Sequence, residues 1–226
     1  NSDELTSRME ELLRSGVVIH TNLDIGLQKR TIEAVKTHLQ DATVQGAATV
    51  ANHETGQIVA VAGGKDYRSG DFNRAYQAFR QPGSSIKPLL VYAPYLDRFD
   101  ANEDSPVNAG PLCIKGYCPK NYGGSNYGMV TLEKAFIQSY NTPAVRILQQ
   151  VGADEAFSDL APFQFEKVTA QDHVLAAAVG GFTTGVSPLE MTSAYTVFSN
   201  KGLFLKPRAI SKVTGSDGKV LYKWND

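Results

Sequence analysis

Two short segments of this chain combine residue types and spacings suited to acyl-transfer chemistry. In Gly83-Ser84-Ser85-Ile86-Lys87 a hydroxyl and an ammonium group stand three residues apart, which on a helix puts them on one face. A serine becomes a nucleophile when a base removes its proton. Lysine serves as that base when burial and neighbouring charge bring its pKa down from about 10.4 toward neutrality. A helix N-terminus at Ser84 opposes lysine protonation and, through the Ser84 N–H, favours a developing oxyanion. Further along, Ser139-Tyr140-Asn141 sets a second hydroxyl and an amide at a break between two helices. Ser139 would relay a proton there, and Asn141 would hold a substrate carbonyl. Each segment alone also fits a plainer role: Ser84 as an N-cap with Lys87 solvated, and Ser139 and Asn141 as caps competing with Thr142.

The elements that must position these groups follow from periodicity and punctuation. Residues 3–14 put Leu5, Met9, Leu12 and Leu13 on one helical face, and Gly16 ends the run. Residues 17–21 form a strand. Asp24 then caps a helix to about residue 39, with Leu27, Ala34, Val35 and Leu39 facing inward. Residues 47–52 and 57–63 make a hairpin about His53-Glu54-Thr55-Gly56. After Pro82 a helix runs from 84 to about 96. The excursion over residues 99–129, rich in Gly, Asn and Pro and carrying Tyr117, Tyr122 and Tyr127, has a length usual for functional loops. Thr131 opens a helix bearing Phe136. Thr142-Pro143 starts another, with Thr as N-cap, and Gly152 closes it. Ser187-Pro188-Leu189-Glu190 is a capping box for a helix that ends before Gly202. The tail forms two strands around Ser216-Asp217-Gly218-Lys219. This alternation predicts an α/β (α+β) domain, an antiparallel-leaning sheet flanked by helices.

Composition narrows the function classes. The 226 residues, 42% hydrophobic and 20% charged, are enough for a real core and exclude a disordered or collagenous chain. A net charge of −1, from 22 basic and 23 acidic residues, gives nucleic-acid binding no electrostatic support. The longest apolar stretch, around residues 174–182, is too short and glycine-rich to span a bilayer. The chain opens Asn1-Ser2-Asp3-Glu4, which reads as a fragment or a processed chain. Cys113 and Cys118 lack a nearby His to complete a zinc site. They are either a small loop-closing disulfide, which implies an oxidising compartment, or two unpaired thiols. His20, His38, His53 and His173 show no metal-ligand spacing, and Asp66, Asp71 and Asp104 no acid–base pairing. No cofactor or metal is expected.

Together and in this order, the two motifs resemble the penicillin-binding protein and serine β-lactamase superfamily, whose pattern is S-x-x-K, then S-D-N, then K-T-G. The likeness is closest to the transpeptidase domain of class A (bifunctional) penicillin-binding proteins. It is carried by Phe72-Asn73-Arg74-Ala75, Arg80-Gln81-Pro82-Gly83-Ser84-Ser85, Lys87-Pro88, Asn121-Tyr122, Ser139-Tyr140-Asn141-Thr142-Pro143-Ala144 and Gly185-Val186-Ser187-Pro188. Thr21-Asn22-Leu23-Asp24, Gln28 and Thr55-Gly56-Gln57-Ile58-Val59-Ala60 fit the same branch. The resemblance extends over residues 17–224.

That resemblance implies Ser84 as the acylated nucleophile, Lys87 as its general base, Ser139 as proton shuttle and Asn141 as a substrate-binding residue. It implies a penicillin-sensitive D,D-transpeptidase that cross-links stem peptides of peptidoglycan, takes lipid-linked precursor polymer and is blocked by β-lactams. Its location would be extracytoplasmic, with an upstream membrane anchor. A D,D-carboxypeptidase, a serine β-lactamase and a non-catalytic β-lactam sensor or scaffold are the alternatives. The expected organisation is a linker helix over residues 1–16 and the transpeptidase domain over 17–226. The Lys-Thr-Gly segment and the last strands would lie on a missing downstream segment, and a glycosyltransferase domain upstream. Lys212-Val213-Thr214-Gly215 departs from the triplet. The inserted valine is expected to put lysine and threonine on opposite strand faces, and the segment comes before the expected position.

Overall fold

A computed structural model describes residues 2–41 and 43–225; Asn1, Ala42 and Asp226, and with them the outer limits of the expected domains, lie outside the described residues. The chain opens with α1 (Ser2–Arg14), β1 (Val18–Thr21), α2 (Ile25–His38), β2 (Ala48–Ala51) and β3 (Ile58–Ala62). Next come α3 (Ala93–Arg98), β4 (Pro106–Asn108), β5 (Met129–Thr131), α4 (Leu132–Ile137), α5 (Asn141–Val151) and α6 (Ala153–Leu160). It closes with α7 (Pro188–Ser199), β6 (Ile210–Thr214) and β7 (Val220–Lys223). All strand ladders are antiparallel, as the α+β expectation requires. Two compact units emerge: the residues up to Ala75 with those from Thr196 onward, and Tyr76–Tyr195.

In the first unit β6 lies between β1 and β7, and β2 pairs with β3. The period of two is visible in β3, where Ile58, Ala60 and Ala62 are buried while Val59 and Val61 are half-buried. The Asp24 carboxylate accepts from the Leu27 N–H at 2.6 Å, the expected N-cap of α2. The side-chain amide of Gln28 brackets Val61, donating to its carbonyl at 2.6 Å and accepting from its N–H at 2.9 Å. Leu27, Val35 and Leu39 are half-buried, but Ala34 is exposed. The inward stripe advances by four residues through Leu27, Thr31, Val35 and Leu39, and Ala34 lies about 100° around the helix from Val35.

Strand β6 corrects the expectation for Lys212 and Thr214. They pair with His20 and Val18 of β1 in regular register. Residues two apart on a strand share a face, so the inserted valine brings lysine and threonine onto one face rather than separating them. In an adjacent Lys-Thr pair the two point apart, so this segment still does not reproduce the triplet.

The second unit is built on α5, whose Val145, Ile147, Leu148 and Val151 are buried and which packs against residues 88–92 and α6. The helix expected over residues 84–96 is instead three segments: a 3₁₀ turn Gly83–Ile86, a π-helical turn Pro88–Tyr92, and α3. The cause is Pro88, which has no N–H to give to Ser84 O and so cannot continue an α ladder. Lys87 N–H takes that carbonyl, closing the 3₁₀ turn, and Ala93 N–H bonds Pro88 O across a π turn.

The long excursion is partly ordered. Its ends pair as β4 and β5, and Ile114 and Tyr117 exchange two backbone bonds of 2.9 Å across Lys115-Gly116. Both turn residues have positive φ, 48° and 87°, the requirement of a type I′ hairpin. Cys113 and Cys118 close the base of this hairpin as a disulfide, which decides between the two states open to them.

Thr131 caps α4, accepting from Lys134 N–H at 3.1 Å. The capping box at Ser187 also forms, with Glu190 accepting from Ser187 N–H at 2.7 Å and the Ser187 hydroxyl accepting from Glu190 N–H at 3.3 Å. Thr142 does not cap α5, which starts at Asn141; its hydroxyl turns to Asn121 Oδ1 at 3.3 Å.

Candidate active site

The turn carrying Ser84 is held at its start by the backbone. Arg80 and Val186 exchange two antiparallel bonds of 3.0 and 2.9 Å, and Gln81 Nε2 donates to Phe182 O at 2.9 Å. Gly180, at φ +81°, lies so close to Gly83 that a Cβ there would overlap the Gly83 N, Cα and O atoms. Only a glycine fits, for space and for backbone angle together. Within the turn the Ser85 hydroxyl donates to Pro82 O and the Tyr195 hydroxyl to Ser85 O, each at 2.6 Å. Thus Ser85 is committed to structure, while Ser84 is exposed and its hydroxyl has no hydrogen bond among the described residues.

Lys87 follows by one 3₁₀ turn. In that geometry residues i and i+3 eclipse, so Ser84 and Lys87 share a face, as the spacing predicts. Ile86 and Lys87 are both buried, Lys87 at 2% exposure. The Lys87 Nζ lies in a cage of neutral oxygens: Ser139 O at 2.7 Å, Asn141 Oδ1 at 2.8 Å, Ser139 Oγ at 3.1 Å and Tyr140 O at 3.2 Å. No carboxylate forms an ion pair with it among the described residues. Burial without a counter-charge brings its pKa down to about 8.

The structure therefore brings Lys87, Ser139 and Asn141 together, with Ser84 one turn before the lysine. Ser139 is exposed and sits at φ +51°, a left-handed conformation that turns the chain sharply between α4 and α5. A serine there is strained, of the order of 1 kcal/mol. The ring of Tyr140 stacks on Tyr127 at 4.3 Å, fastening this turn to the long loop. The Asn141 amide is fixed from both ends: Oδ1 receives the ammonium, and Nδ2 donates to Lys120 O at 2.9 Å. Its second Nδ2 hydrogen is left for another acceptor.

Asn121 takes the role expected of Thr142. It is buried, and its Oδ1 accepts from the N–H groups of Asn141 and Thr142 at 2.9 and 3.1 Å, capping α5 from a distant loop. Its Nδ2 donates to Ala109 O at 2.9 Å. Nothing in local spacing assigns this role; the Asn121-Tyr122 pair is visible only as part of the family pattern. Asp172 is a second anchor, absent from the sequence-based expectations. It is 1% exposed and accepts from the N–H groups of Thr183 at 2.7 Å and Thr169 at 2.8 Å. Burial alone would raise its pKa, but these hydrogen bonds outweigh that and hold it below the usual value. The Thr169-x-x-Asp172 spacing is the local capping signature that marks it.

Beside Asn141 opens a cleft of about 600 Å³, lined by Gly110, Cys113, Cys118, Lys120, Asn121 and Thr142 among others. Tyr122 and Tyr127 are exposed along the same loop, Tyr122 at 97%. Among the described residues no cluster of His, Cys, Asp and Glu is arranged to hold a metal ion.

A family model described as "Penicillin binding protein transpeptidase domain" matches residues 46–225. The chain is 52% identical over 224 residues to Penicillin-binding protein 4 of Bacillus subtilis, covering 99% of this chain and 36% of that protein. Penicillin-binding protein 1F of the same organism is 34% identical over 223 residues, covering 97% and 31%. The chain thus spans about a third of the length of these curated relatives. Among solved structures, Penicillin-Binding Protein 1A from Haemophilus influenzae is 34% identical with a TM-score of 0.70, over 80% of this chain and 27% of that one. PonA1 from Mycobacterium tuberculosis, at 22% identity, shares the fold with a TM-score of 0.83, over 95% of this chain and 58% of that one; a second structure of PonA1 is a complex with penicillin V.

Proposed function

We propose that this chain, which belongs to the penicillin-binding protein transpeptidase-domain family, carries out D,D-transpeptidation of peptidoglycan stem peptides through an acyl-enzyme on Ser84. The observation that carries this reading is Lys87. It is a buried amine with no counter-charge and a pKa of about 8, one 3₁₀ turn from an exposed serine hydroxyl and bonded to Ser139.

In this reading Ser84 Oγ attacks the carbonyl carbon of the penultimate D-Ala while neutral Lys87 takes the hydroxyl proton. The developing oxyanion is met by the Ser84 N–H, which at the second position of its turn has no carbonyl inside the turn to bond. The C–N bond to the terminal D-Ala breaks as Ser139, in contact with Lys87, passes a proton to the leaving amine. An amine from a neighbouring stem peptide then attacks the ester, forming the cross-link and restoring the Ser84 hydroxyl. Asn141 holds the base in place with its oxygen and offers its free N–H to the donor peptide. A β-lactam enters the same path because its strained amide stands in for the D-Ala-D-Ala bond.

The reading extends to organisation and place. Residues 1–16, which include α1, are a linker before the transpeptidase domain of residues 17–226, with the second oxyanion donor and the Lys-Thr-Gly segment supplied from outside this stretch. The domain works outside the cytoplasm, on polymer made from a lipid-linked precursor and tethered by another part of the protein. The Cys113–Cys118 disulfide supports an oxidising compartment. No helix among the described residues is long and apolar enough to cross a membrane. The test is to give the complete protein a pentapeptide donor and an amine acceptor. Release of D-Ala with a cross-linked product supports the proposal; D-Ala release with hydrolysed donor alone would make it a carboxypeptidase.

A further inference from the structure

The turn that carries Ser84 is cut short by the proline that follows it. Lys87 N–H closes the 3₁₀ turn on Ser84 O. The next rung of that ladder would run from residue 88 to Ser85 O, and Pro88 has no N–H to make it. The Tyr195 hydroxyl meets this carbonyl instead, at 2.6 Å, from α7 and 110 residues further along the chain. Helix α7 is itself fixed where it starts. Val186 and Arg80 exchange two backbone bonds, and the Glu190 carboxylate accepts from the N–H groups of Ser187 and Glu166, each at 2.7 Å. Tyr195 stands eight residues past Ser187, about 12 Å along the helix axis. The stretch from Val186 to Tyr195 therefore holds the nucleophile segment on both sides of Ser84, at Arg80 before it and at Ser85 after it. Burial pushes the Tyr195 phenol pKa above its ordinary value, so the hydroxyl keeps its donor proton at the pH where Lys87 becomes neutral.

We propose that Tyr195 is a positioning residue for the nucleophile, its hydroxyl holding Ser85 O so that Ser84 Oγ and the Ser84 N–H keep the geometry of attack. The inference rests on the acyl-transfer reading of Ser84. The residues that flank the two serines are fixed by packing: Gly83 abuts Gly180, and Ile86 is fully buried. Ser84 and Ser85 are both exposed, so packing does not set them. The bonds of Ser85 do, its hydroxyl donating to Pro82 O and its carbonyl accepting from Tyr195. The first lies within the turn and moves with it. The second ties the turn to a separate helix. Without that tie the exposed pair can rock between Gly83 and Ile86, and a small displacement of a nucleophile slows the chemical step. Tyr195 acts through a carbonyl rather than on a reacting atom, so its effect falls on the rate of acylation and not on binding.

The experiment follows acylation of the complete protein by a fluorescent penicillin over a range of concentrations, which separates the limiting acylation rate from the apparent dissociation constant. Tyr195→Phe removes the hydroxyl and keeps the ring. Its limiting rate is expected to fall about fivefold, the weight of one hydrogen bond, with the dissociation constant unchanged. Tyr195→p-aminophenylalanine restores a donor at the same ring position and should recover most of the rate. Thermal unfolding of each variant ensures that folded proteins are compared. If Tyr195→Phe does not fold, Tyr195→p-methylphenylalanine, which fills the space of the hydroxyl and lacks its donor, takes its place with the same expected outcome. An unchanged limiting rate in the folded variant overturns the proposal, and so does a loss confined to the dissociation constant or one that the para-amino group fails to recover. Wild type and Ser84→Ala are labelled alongside. A wild type that takes no label brings down the acyl-transfer reading itself, whereas a labelled wild type with an unaffected Tyr195→Phe brings down the positioning role alone.

Discussion

Lys87 Nζ lies 2.8 Å from Asn141 Oδ1, and the same Asn141 amide donates to Lys120 O at 2.9 Å. One side chain therefore connects the base to the loop that walls the neighbouring cleft. The oxygen must face Lys87, because an ammonium group only donates. This orientation leaves the amide nitrogen for the loop and for substrate.

The base should be legible in the pH dependence. Only neutral Lys87 accepts the Ser84 proton, and its pKa is brought down to about 8. At pH 7 about a tenth of the molecules then carry the neutral amine. The rate of acylation by penicillin should rise with pH through a midpoint near 8. A stopped-flow profile that is flat or falling between about pH 7 and 9 would contradict the role, since that interval brackets the titration.

Removing the amine separates chemistry from structure. Lys87→Ala should lower acylation by at least about 10²-fold, the usual loss with a general base. It also strips donors from the Ser139 and Tyr140 carbonyls and Asn141 Oδ1. Because burying the charge disfavours the folded state, its removal offsets those lost bonds, and thermal unfolding should show a variant that is still folded. Near-normal acylation by folded variant protein would remove Lys87 from the mechanism.

Gly180 and Gly202 make a controlled pair, because both have φ +81° but only Gly180 has backbone in the way. Gly202→Ala should cost roughly 1–2 kcal/mol, the left-handed penalty alone. Gly180→Ala must in addition push Gly83 aside, so it should cost more and lower acylation at the neighbouring Ser84. Equal effects of the two substitutions on stability and acylation would show that the Gly180–Gly83 contact does not set the nucleophile turn.

Asn121 tests whether the loop positions the second motif. Asn121→Ala removes the acceptor for two N–H groups at the start of α5 and the donor to Ala109 O. A loss of about 2–4 kcal/mol is expected from these buried unsatisfied groups, with slower acylation as Asn141 loosens. Full stability and full activity in that variant would leave the motif held by α5 alone.

Much of the site is legible in the order and spacing of residues alone. The Ser84–Lys87 spacing survives the change from α to 3₁₀ geometry because i and i+3 share a face in both. Asp24, Thr131 and Ser187 cap their helices as their spacing requires, each partner being three residues away. What spacing does not reveal lies between residues far apart in the chain. Asn121 caps a helix from another loop, and Gly180 touches Gly83 across many intervening residues. Neither leaves a periodic trace. The break at Pro88 has a local cause, the missing N–H, but the apolar run from Leu89 to Tyr92 that follows masks it. The shared strand face of Lys212 and Thr214 needs only the period of two applied correctly.

The central claim is that Ser84 is the residue acylated. Complete protein incubated with penicillin, digested and mapped by mass spectrometry should carry one adduct per chain, on Ser84, and Ser84→Ala should carry none. The neighbouring Ser85 is engaged with Pro82 O and Tyr195 and should stay unlabelled. An adduct on Ser85 or Ser139, or undiminished labelling of Ser84→Ala, would contradict the account.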